Sequence, residues 1–210
     1  MKIAVIGAGN VGSALGTGWA KAGHTIVFGV RDVNKAPLKA LCERIGATAA
    51  PPAEAARQGD VVVLALPWNV AENAVKSLGD LKDKVIIDSM NPLAMKDGAL
   101  GLERGYTTSG AEAVASWLPG VKVVKTFNQV GAEMMMAGDR FPAPPVMFLA
   151  GDDDGAKSTV AQLVRELGFE ALDAGALRQA RLLEPFAMVW INQAILRGLG
   201  RDWAFGVIRV

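Results

Sequence analysis

The chain opens with the sequence IAVIGAGNVG at residues 3–12, and this stretch decides the fold. A short apolar run ends at Gly7, and two further glycines follow at Gly9 and Gly12. Gly7 allows a sharp turn, Gly9 allows a pyrophosphate to approach the backbone, and Gly12 allows close packing of a helix on a strand. The stretch is therefore typical of the first turn of a doubly wound α/β fold that binds a dinucleotide.

An amphipathic helical pattern over residues 11–22 follows the glycines directly. A helix N-terminus carries unpaired N–H groups and the positive end of the helix dipole, so it attracts phosphates. We therefore expect Asn10 and Val11 to bind the pyrophosphate together with the three glycines. The alternative is a glycine-rich turn with a purely structural role.

The composition sets broad limits on the class of protein. The 210 residues fit one large domain, or one domain with a small appendix. The formal net charge of +1 indicates neither a nucleic acid nor a membrane surface as partner. The single cysteine, Cys42, cannot form an internal disulfide, and no apolar run reaches the roughly 20 residues of a membrane helix. We expect a cytoplasmic protein. We also expect no metal site, because the acidic run Asp152–Asp154 is typical of a helix start.

Apolar, β-branched runs alternate with helical patterns along the chain, which predicts a parallel, doubly wound Rossmann sheet. The predicted strands are Lys2–Ile6, Thr25–Phe28, Val61–Ala65, Val85–Asp88, Lys122–Thr126, Val146–Ala150 and Glu170–Asp173, with a weaker one near Ala47–Ala49.

The region after Asp173 has a different pattern. Residues 176–199 read as helix, interrupted at Pro185, so we expect one bent helix or two short ones. The predicted division is a dinucleotide-binding domain over residues 1–174 and a small helical lobe over residues 175–210 packed against it.

The end of the second predicted strand separates NAD from NADP. An acidic residue there usually binds the ribose 2′-OH of NAD. Here Arg31 comes first and Lys35 lies four residues later, one turn away if a helix has begun. The two cations favour the 2′-phosphate of NADP(H). Asp32 is the competing indication, unless it turns outward or pairs with Arg31.

Three further strand ends place polar or rigid residues at the expected ligand edge. Leu66, Pro67 and Trp68 follow one strand; Pro67 stiffens the loop and Trp68 offers an apolar wall for the cofactor, or packs in the core. Asn91 follows the next strand and can bond near the nicotinamide ribose, or form an Asn-Pro turn. Asn128 follows the third and is the candidate for positioning the reacting rings.

Groups for acid–base catalysis are scarce. His24 is the only histidine, and it precedes the second strand, away from the expected nicotinamide end. A flavin-type acceptor mainly needs its ring stacked on the nicotinamide. A reductase of a small carbonyl or imine would need a proton donor, for which Lys125 and Tyr106 are the candidates. A non-catalytic NADP(H)-binding module that senses redox state is the remaining alternative.

The motifs together resemble the coenzyme F420-dependent NADP oxidoreductases, and also the cytosolic domain of the six-transmembrane metalloreductases. The matching stretches cover nearly the whole chain: residues 6–12, 29–31 with 35–36, 66–68, 91–93, 108–112, 124–128, 151–154, 172–175 and 180–184. Two positions depart from the deazaflavin pattern. Val30 replaces a small hydroxyl residue, and no histidine occurs in Lys125–Asn128, which is closer to the metalloreductases.

The resemblance implies NADPH along the glycine turn, with its 2′-phosphate near Arg31 and Lys35. It also implies hydride transfer to coenzyme F420 or a flavin in a facing cleft, and a homodimer. The C-terminal segment carries Phe186, Met188, Trp190 and Ile191, more apolar surface than one helix face needs. This surplus favours a homodimer through the segment, or a role for part of it in lining the cleft.

Overall fold

Eight strands form one sheet in the computed structural model, which describes residues 1–136 and 140–209. The bounds of these strands are β1 Lys2–Ile6, β2 Thr25–Gly29, β3 Thr48–Ala50, β4 Val61–Leu64, β5 Val85–Asp88, β8 Lys122–Lys125, β9 Val146–Gly151 and β10 Glu170–Asp173. Their spatial order is β10-β9-β8-β5-β4-β1-β2-β3. All eight predicted strands are present, each end lying within one residue of its predicted position, and the doubly wound fold class is confirmed.

The sheet is parallel from β3 to β8 but not throughout. Strand β9 pairs antiparallel with β8 through Val124↔Gly151 and Lys125↔Ala150, and β10 runs parallel to β9. The prediction of a wholly parallel sheet is therefore wrong at this edge. The described part of the β8–β9 connection includes a 3₁₀ turn, Ala132–Met134. An antiparallel neighbour needs no long helical crossover.

Helices cover both faces of the sheet. Their bounds are α1 Asn10–Lys21, α2 Ala36–Ile45, α3 Pro52–Gln58, α4 Trp68–Lys76, α5 Gly110–Trp117, α6 Asp154–Glu166 and α7 Ala180–Ile191. One buried apolar cluster lies beneath α1 and α6, and another lies beneath α3, α4 and α5. The Trp19 indole N–H donates to the Leu163 carbonyl (3.0 Å), which joins α1 to α6 across the first cluster. Asp153 caps α6, as the acidic run predicts.

A short hairpin, which the sequence interpretation missed, follows β5. Strands β6 (Leu93–Lys96) and β7 (Ala99–Leu102) are joined by Asp97 and Gly98, whose φ angles are 50° and 79°. Left-handed backbone conformations at both residues of an Asp-Gly pair are typical of a tight two-residue hairpin turn. That dipeptide was the available signal, since the strands are too short to give a clear period.

The C-terminal segment is largely helical and returns to the sheet. Helix α7 continues through Pro185 and ends in a π-helical turn, Asn192–Leu196. The tail then runs back, and the Phe205 carbonyl accepts from the Val146 N–H (2.8 Å) at the start of β9. The boundary between residues 174 and 175 stays a prediction, and residue 210 lies outside the described residues. Within residues 1–136 and 140–209, no helix has both the length and the apolar character needed to cross a bilayer.

Candidate active site

Four neighbouring parallel strands end at the same edge of the sheet. Strands β1, β4, β5 and β8 end at Ile6, Leu64, Asp88 and Lys125. Strands β1 and β4 lie side by side, although β2 and β3 intervene in sequence, so the strand order reverses between them. Ligands of open α/β sheets bind in the crevice at such a switch point. The loops after these strands therefore define the candidate site.

Steric constraints account for two of the glycines in the first loop. Gly7 has φ +106°, and a Cβ there would lie 2.3 Å from the Ala65 carbonyl oxygen. A Cβ at Gly12 would lie 2.0 Å from the Gly7 carbonyl oxygen. At Gly9, by contrast, a Cβ would meet no protein atom within 4 Å. Gly9 is therefore free of the protein's own packing and leaves its backbone open to a ligand.

The N-terminus of α1 has the features of an anion site. Gly9 is the N-cap and offers no side-chain cap, and no acidic residue lies in the first turn. The first helical bond runs from the Ser13 N–H to the Gly9 carbonyl (2.9 Å), so the N–H groups of Asn10, Val11 and Gly12 have no intrahelical acceptor. These groups fit a diphosphate.

The loop after β2 differs from its predicted conformation. Helix α2 begins only at Ala36, with Lys35 as its N-cap, so Lys35 is not one helical turn from Arg31 as expected. Both side chains are exposed, and in the described ranges neither forms an ion pair with a carboxylate. Asp32 accepts from the Asn34 N–H (2.9 Å) and closes the turn instead of pairing with Arg31.

Trp68, after β4, packs inward. Its side chain is 9% exposed, it stacks on Trp117 with ring centroids 5.4 Å apart, and its indole N–H donates to Glu103 (3.0 Å). This geometry favours the packing alternative for Trp68. Leu66 lies against the glycine turn, with its side chain 3.2 Å from the position of a Cβ on Gly7, and Pro67 is exposed beside it.

Asn91 and Asn128 meet across the loops that follow β5 and β8. The Asn91 amide donates to the Asn128 carbonyl (2.9 Å), and the Asn128 amide donates to the Asn91 side-chain oxygen (3.0 Å) and to the Leu183 carbonyl in α7 (3.0 Å). The Asn128 side-chain oxygen accepts from Gln129 (3.2 Å). Asn128 is 6% exposed, so its side chain joins two loops to a helix rather than pointing freely into the crevice.

Phe127 adopts a strained backbone beside this pair. It has φ +58° although it is bulky and fully buried, and its ring packs edge-on against Trp19 at 5.5 Å between centroids. Such a conformation costs about 1–3 kcal/mol and persists only where neighbouring contacts impose it. Gln129 supplies such contacts, since its amide pairs with both the N–H (3.0 Å) and the carbonyl (2.8 Å) of Phe148 in β9.

A buried ionic cluster that sequence reasoning missed lies beneath these loops. The Lys125 ammonium lies 3.1 Å from Asp88 Oδ2 and 3.0 Å from Glu184 Oε1, and all three side chains are 0% exposed. Lys125 also donates to the Met90 carbonyl. Burial alone would lower the pKa of Lys125, but the two carboxylates raise the pKa above its ordinary value. Lys125 is therefore held as a cation.

The two proton-donor candidates, Lys125 and Tyr106, are poorly placed for acid–base work, and so is His24. His24 lies before β2, at the opposite edge of the sheet, where it bonds Glu166 (2.7 Å) and the N-terminal amino group of Met1 (3.3 Å). Lys125 is enclosed in the ionic cluster, and Tyr106 is 83% exposed after the hairpin.

The chain resembles nicotinamide-dependent oxidoreductases along most of its length. A family model described as "NADP oxidoreductase coenzyme F420-dependent" matches residues 2–92. The F420-dependent NADP reductase of Methanothermobacter thermautotrophicus is 31% identical over 206 residues, which cover 91% of this chain and 88% of the relative. The metalloreductase STEAP3 of Rattus norvegicus is 30% identical over 189 residues, which cover 89% of this chain and 36% of the relative.

Solved structures agree with this likeness. The crystal structure of a provisionally assigned F420-dependent NADP reductase from Arthrobacter sp. FB24 matches with a TM-score of 0.91, at 30% identity and over 100% of both chains. An imine reductase of Streptomyces aurantiacus matches with a TM-score of 0.66 at 17% identity, covering 94% of this chain and 64% of that one. The second likeness concerns the fold alone.

Proposed function

The chain belongs to the family of coenzyme F420-dependent NADP oxidoreductases, and from this premise we propose that it transfers hydride between NADP(H) and a flavin or deazaflavin ring. It is an NADP-dependent oxidoreductase by that membership; the proposal concerns the acceptor and the residues that act. The bound nicotinamide supplies the hydride, and the accepting ring takes it up with a proton from water. The observation that carries the proposal is an open anion site at the switch point of the sheet, where the described residues place no free acid–base group to serve a small alcohol, carbonyl or imine.

We assign the diphosphate to the glycine turn. Gly7 and Gly12 shape the turn, and the backbone at Gly9, Asn10 and Val11 binds the phosphate oxygens. The unpartnered N–H groups and the open space at Gly9 support this assignment.

The 2′-phosphate belongs to Arg31 and Lys35 in this proposal. Both cations are exposed at the end of β2, where an adenosine ribose lies in a doubly wound fold. Asp32 is used in the local turn, which supports a phosphate rather than a free 2′-OH at this position.

The nicotinamide half belongs to the loops after β4, β5 and β8. Leu66 and Pro67 form one wall, and Trp68 supports it from the core. Asn91 lies half-buried at the crevice, and Asn128 fixes its orientation through their mutual hydrogen bonds. Asn128 thus positions the rings by holding Asn91 and α7 in place, rather than by direct contact.

The acceptor is tested by oxidation of NADPH under anaerobic conditions, followed at 340 nm, with FMN, FAD and coenzyme F420 offered in separate assays. We expect turnover with at least one ring acceptor, and much weaker turnover with NADH. Tight NADPH binding without turnover of any ring acceptor contradicts the proposal and favours a binding module. Turnover of a carbonyl or imine alone favours the small-substrate reductase.

We further propose a homodimer through α7. Of the four apolar residues Phe186, Met188, Trp190 and Ile191, the last two are buried within the protomer. The apolar stripe on one face of α7 consists of Leu182 (65% exposed), the half-buried Phe186 and Val189 (48% exposed), spaced at i, i+4 and i+7. A second copy of this chain would cover that stripe.

A further inference from the structure

The ionic cluster of Asp88, Lys125 and Glu184 connects elements that are distant in sequence. Asp88 ends β5, Lys125 ends β8, and Glu184 lies in α7. The Glu184 carboxylate also accepts from the N–H groups of Gly110 (2.8 Å) and Ala111 (3.1 Å). One carboxylate therefore joins the C-terminal helix both to the sheet edge and to the N-terminus of α5.

The charges of the cluster are compensated by groups of the protein rather than by solvent. Two carboxylates and one ammonium leave one formal negative charge, with all three side chains at 0% exposure. The positive end of the α5 dipole, where Glu184 binds, opposes that charge. Asp88 gains a further donor from the Met90 N–H (3.0 Å).

Stability alone is a weak explanation for such a cluster. The cost of desolvating buried ions often equals or exceeds their attraction, and well-packed apolar residues commonly serve as well. What apolar residues lack is direction: the Lys125 cluster has hydrogen bonds of fixed geometry to a strand end, a loop carbonyl and a helix. Directional contacts of this kind set the relative positions of the parts they join.

The parts joined are those that face the proposed nicotinamide end. Lys125 holds the Met90 carbonyl directly before Asn91. One residue before Glu184, the Leu183 carbonyl accepts from Asn128. The strained Phe127 lies between Lys125 and Asn128, and its conformation needs surrounding contacts that hold it.

We propose that Asp88, Lys125 and Glu184 are positioning residues that set the distance between α7 and the nicotinamide edge of the sheet, and thereby the alignment for hydride transfer. The inference rests on the proposed function for its site. The cluster is too deeply buried to touch either ring, so it acts through the loops at Asn91 and Asn128. Its loss should alter turnover and the environment of the nicotinamide, and not the binding of the diphosphate and adenosine ends.

The test compares Glu184→Gln with Glu112→Gln in the full-length protein. A glutamine at position 184 keeps the shape but directs its NH₂ group at an N–H donor of α5 or at the Lys125 ammonium. Glu112 forms the matched control, because its paired bonds to Arg181 (2.9 and 2.6 Å) also join α5 to α7 but do not reach the cluster. The readouts are the Kd of NADPH, the fluorescence emission of the bound nicotinamide, and kcat and KM with the ring acceptor.

For Glu184→Gln we expect a Kd for NADPH within about twofold of the wild type, changed emission of the bound nicotinamide, and kcat lower by about tenfold or more, since small misplacements of reacting groups are costly. Glu112→Gln should retain wild-type emission and kcat. The inference is overturned if Glu184→Gln retains both, or if the two variants change alike. If the wild type reduces no ring acceptor, the proposed function fails, and unchanged emission in Glu184→Gln then refutes the positioning role separately.

Lys125→Met is the second variant, in case Glu184→Gln does not fold. This substitution leaves two carboxylates without their cation, so the loops at Asn91 and Asn128 should shift. As for Glu184→Gln, we expect an almost unchanged Kd for NADPH and a changed emission of the bound nicotinamide. Wild-type emission in a folded Lys125→Met protein also contradicts the inference.

Discussion

Replacing Gly9 with alanine separates the fold from the ligand site at the glycine turn. The new methyl group extends about 1.5 Å from Cα and meets no protein atom within 4 Å. As an N-cap, alanine is poorer than glycine, so we expect a stability loss of only about 0.5–1 kcal/mol. A phosphate oxygen bound to the neighbouring N–H groups must lie within about 3 Å of the backbone. The methyl group occupies that approach. Losing one hydrogen bond to a charged phosphate costs about 1.5–3 kcal/mol, roughly ten- to hundredfold in Kd.

The contrasting change is Gly12→Ala in the same loop. Its methyl group would lie 2.0 Å from the Gly7 carbonyl oxygen, which is backbone and cannot swing aside. We expect a loss of about 3 kcal/mol or more in the free energy of unfolding. Gly101→Ala, in β7, also meets no atom within 4 Å and serves as the control for an added methyl group. Urea unfolding gives the stabilities, and quenching of tryptophan fluorescence by NADPH gives the Kd. If Gly9→Ala binds NADPH as tightly as Gly101→Ala does, the diphosphate does not lie on this turn.

Three further outcomes follow from the geometry. Arg31→Ala should weaken NADPH by about tenfold or more and NADH little, by isothermal titration, whereas Arg44→Ala should change neither; equal losses for both coenzymes would remove Arg31 from the 2′-phosphate. The hydrogen bond from Arg181 lowers the pKa of Glu112. The Arg181–Glu112 pair therefore stabilises the fold above the ordinary carboxyl pKa of about 4.3, and its contribution is lost as the pH falls through the lowered value. The melting temperature of the wild type should therefore fall more steeply below about pH 4 than that of Glu112→Gln. Parallel curves of melting temperature against pH would contradict the pairing. Leu182→Lys should convert a dimer into a monomer in sedimentation experiments, and a monomeric wild type at micromolar concentration would exclude the α7 interface.

The elements that the sequence predicted well are those with a local physical cause. Strands β1, β4 and β5 are runs of buried, mostly β-branched residues, so their pattern is visible without knowledge of their neighbours. At the start of α5 the Ser109 Oγ accepts from the Glu112 N–H (3.2 Å), an N-cap that the local Ser-x-x-Glu pattern favours. The turn chemistry of the β6–β7 hairpin was equally local, and Asp97-Gly98 would have revealed it.

The features that escaped prediction depend on contacts between distant segments. The sequence suggests Lys125 only as a possible proton donor and does not reveal its ion pairs, because its partners Asp88 and Glu184 lie dozens of positions away on other elements. The antiparallel β9 escaped for a related reason, since strand direction depends on the path of the connection and not on the strand's own residues. Trp68 could not be placed either, because stacking on Trp117 is settled only when α4 and α5 pack together.

The two ligand halves of the proposed site come from different parts of the chain, and we expect this division to govern how the acceptor is selected. The family model matches residues 2–92, which include the glycine turn, the cations after β2 and the loop at Asn91. The opposing side is formed by residues after that match: the β8 loop, α7 and the tail at Phe205, which packs on Phe186 at 4.3 Å between ring centroids. Exchanging the C-terminal segment for that of a relative should therefore alter the choice between flavin and deazaflavin and leave the preference for NADPH intact. A chimera that loses its coenzyme preference instead would mean that the two halves are not separable in this way.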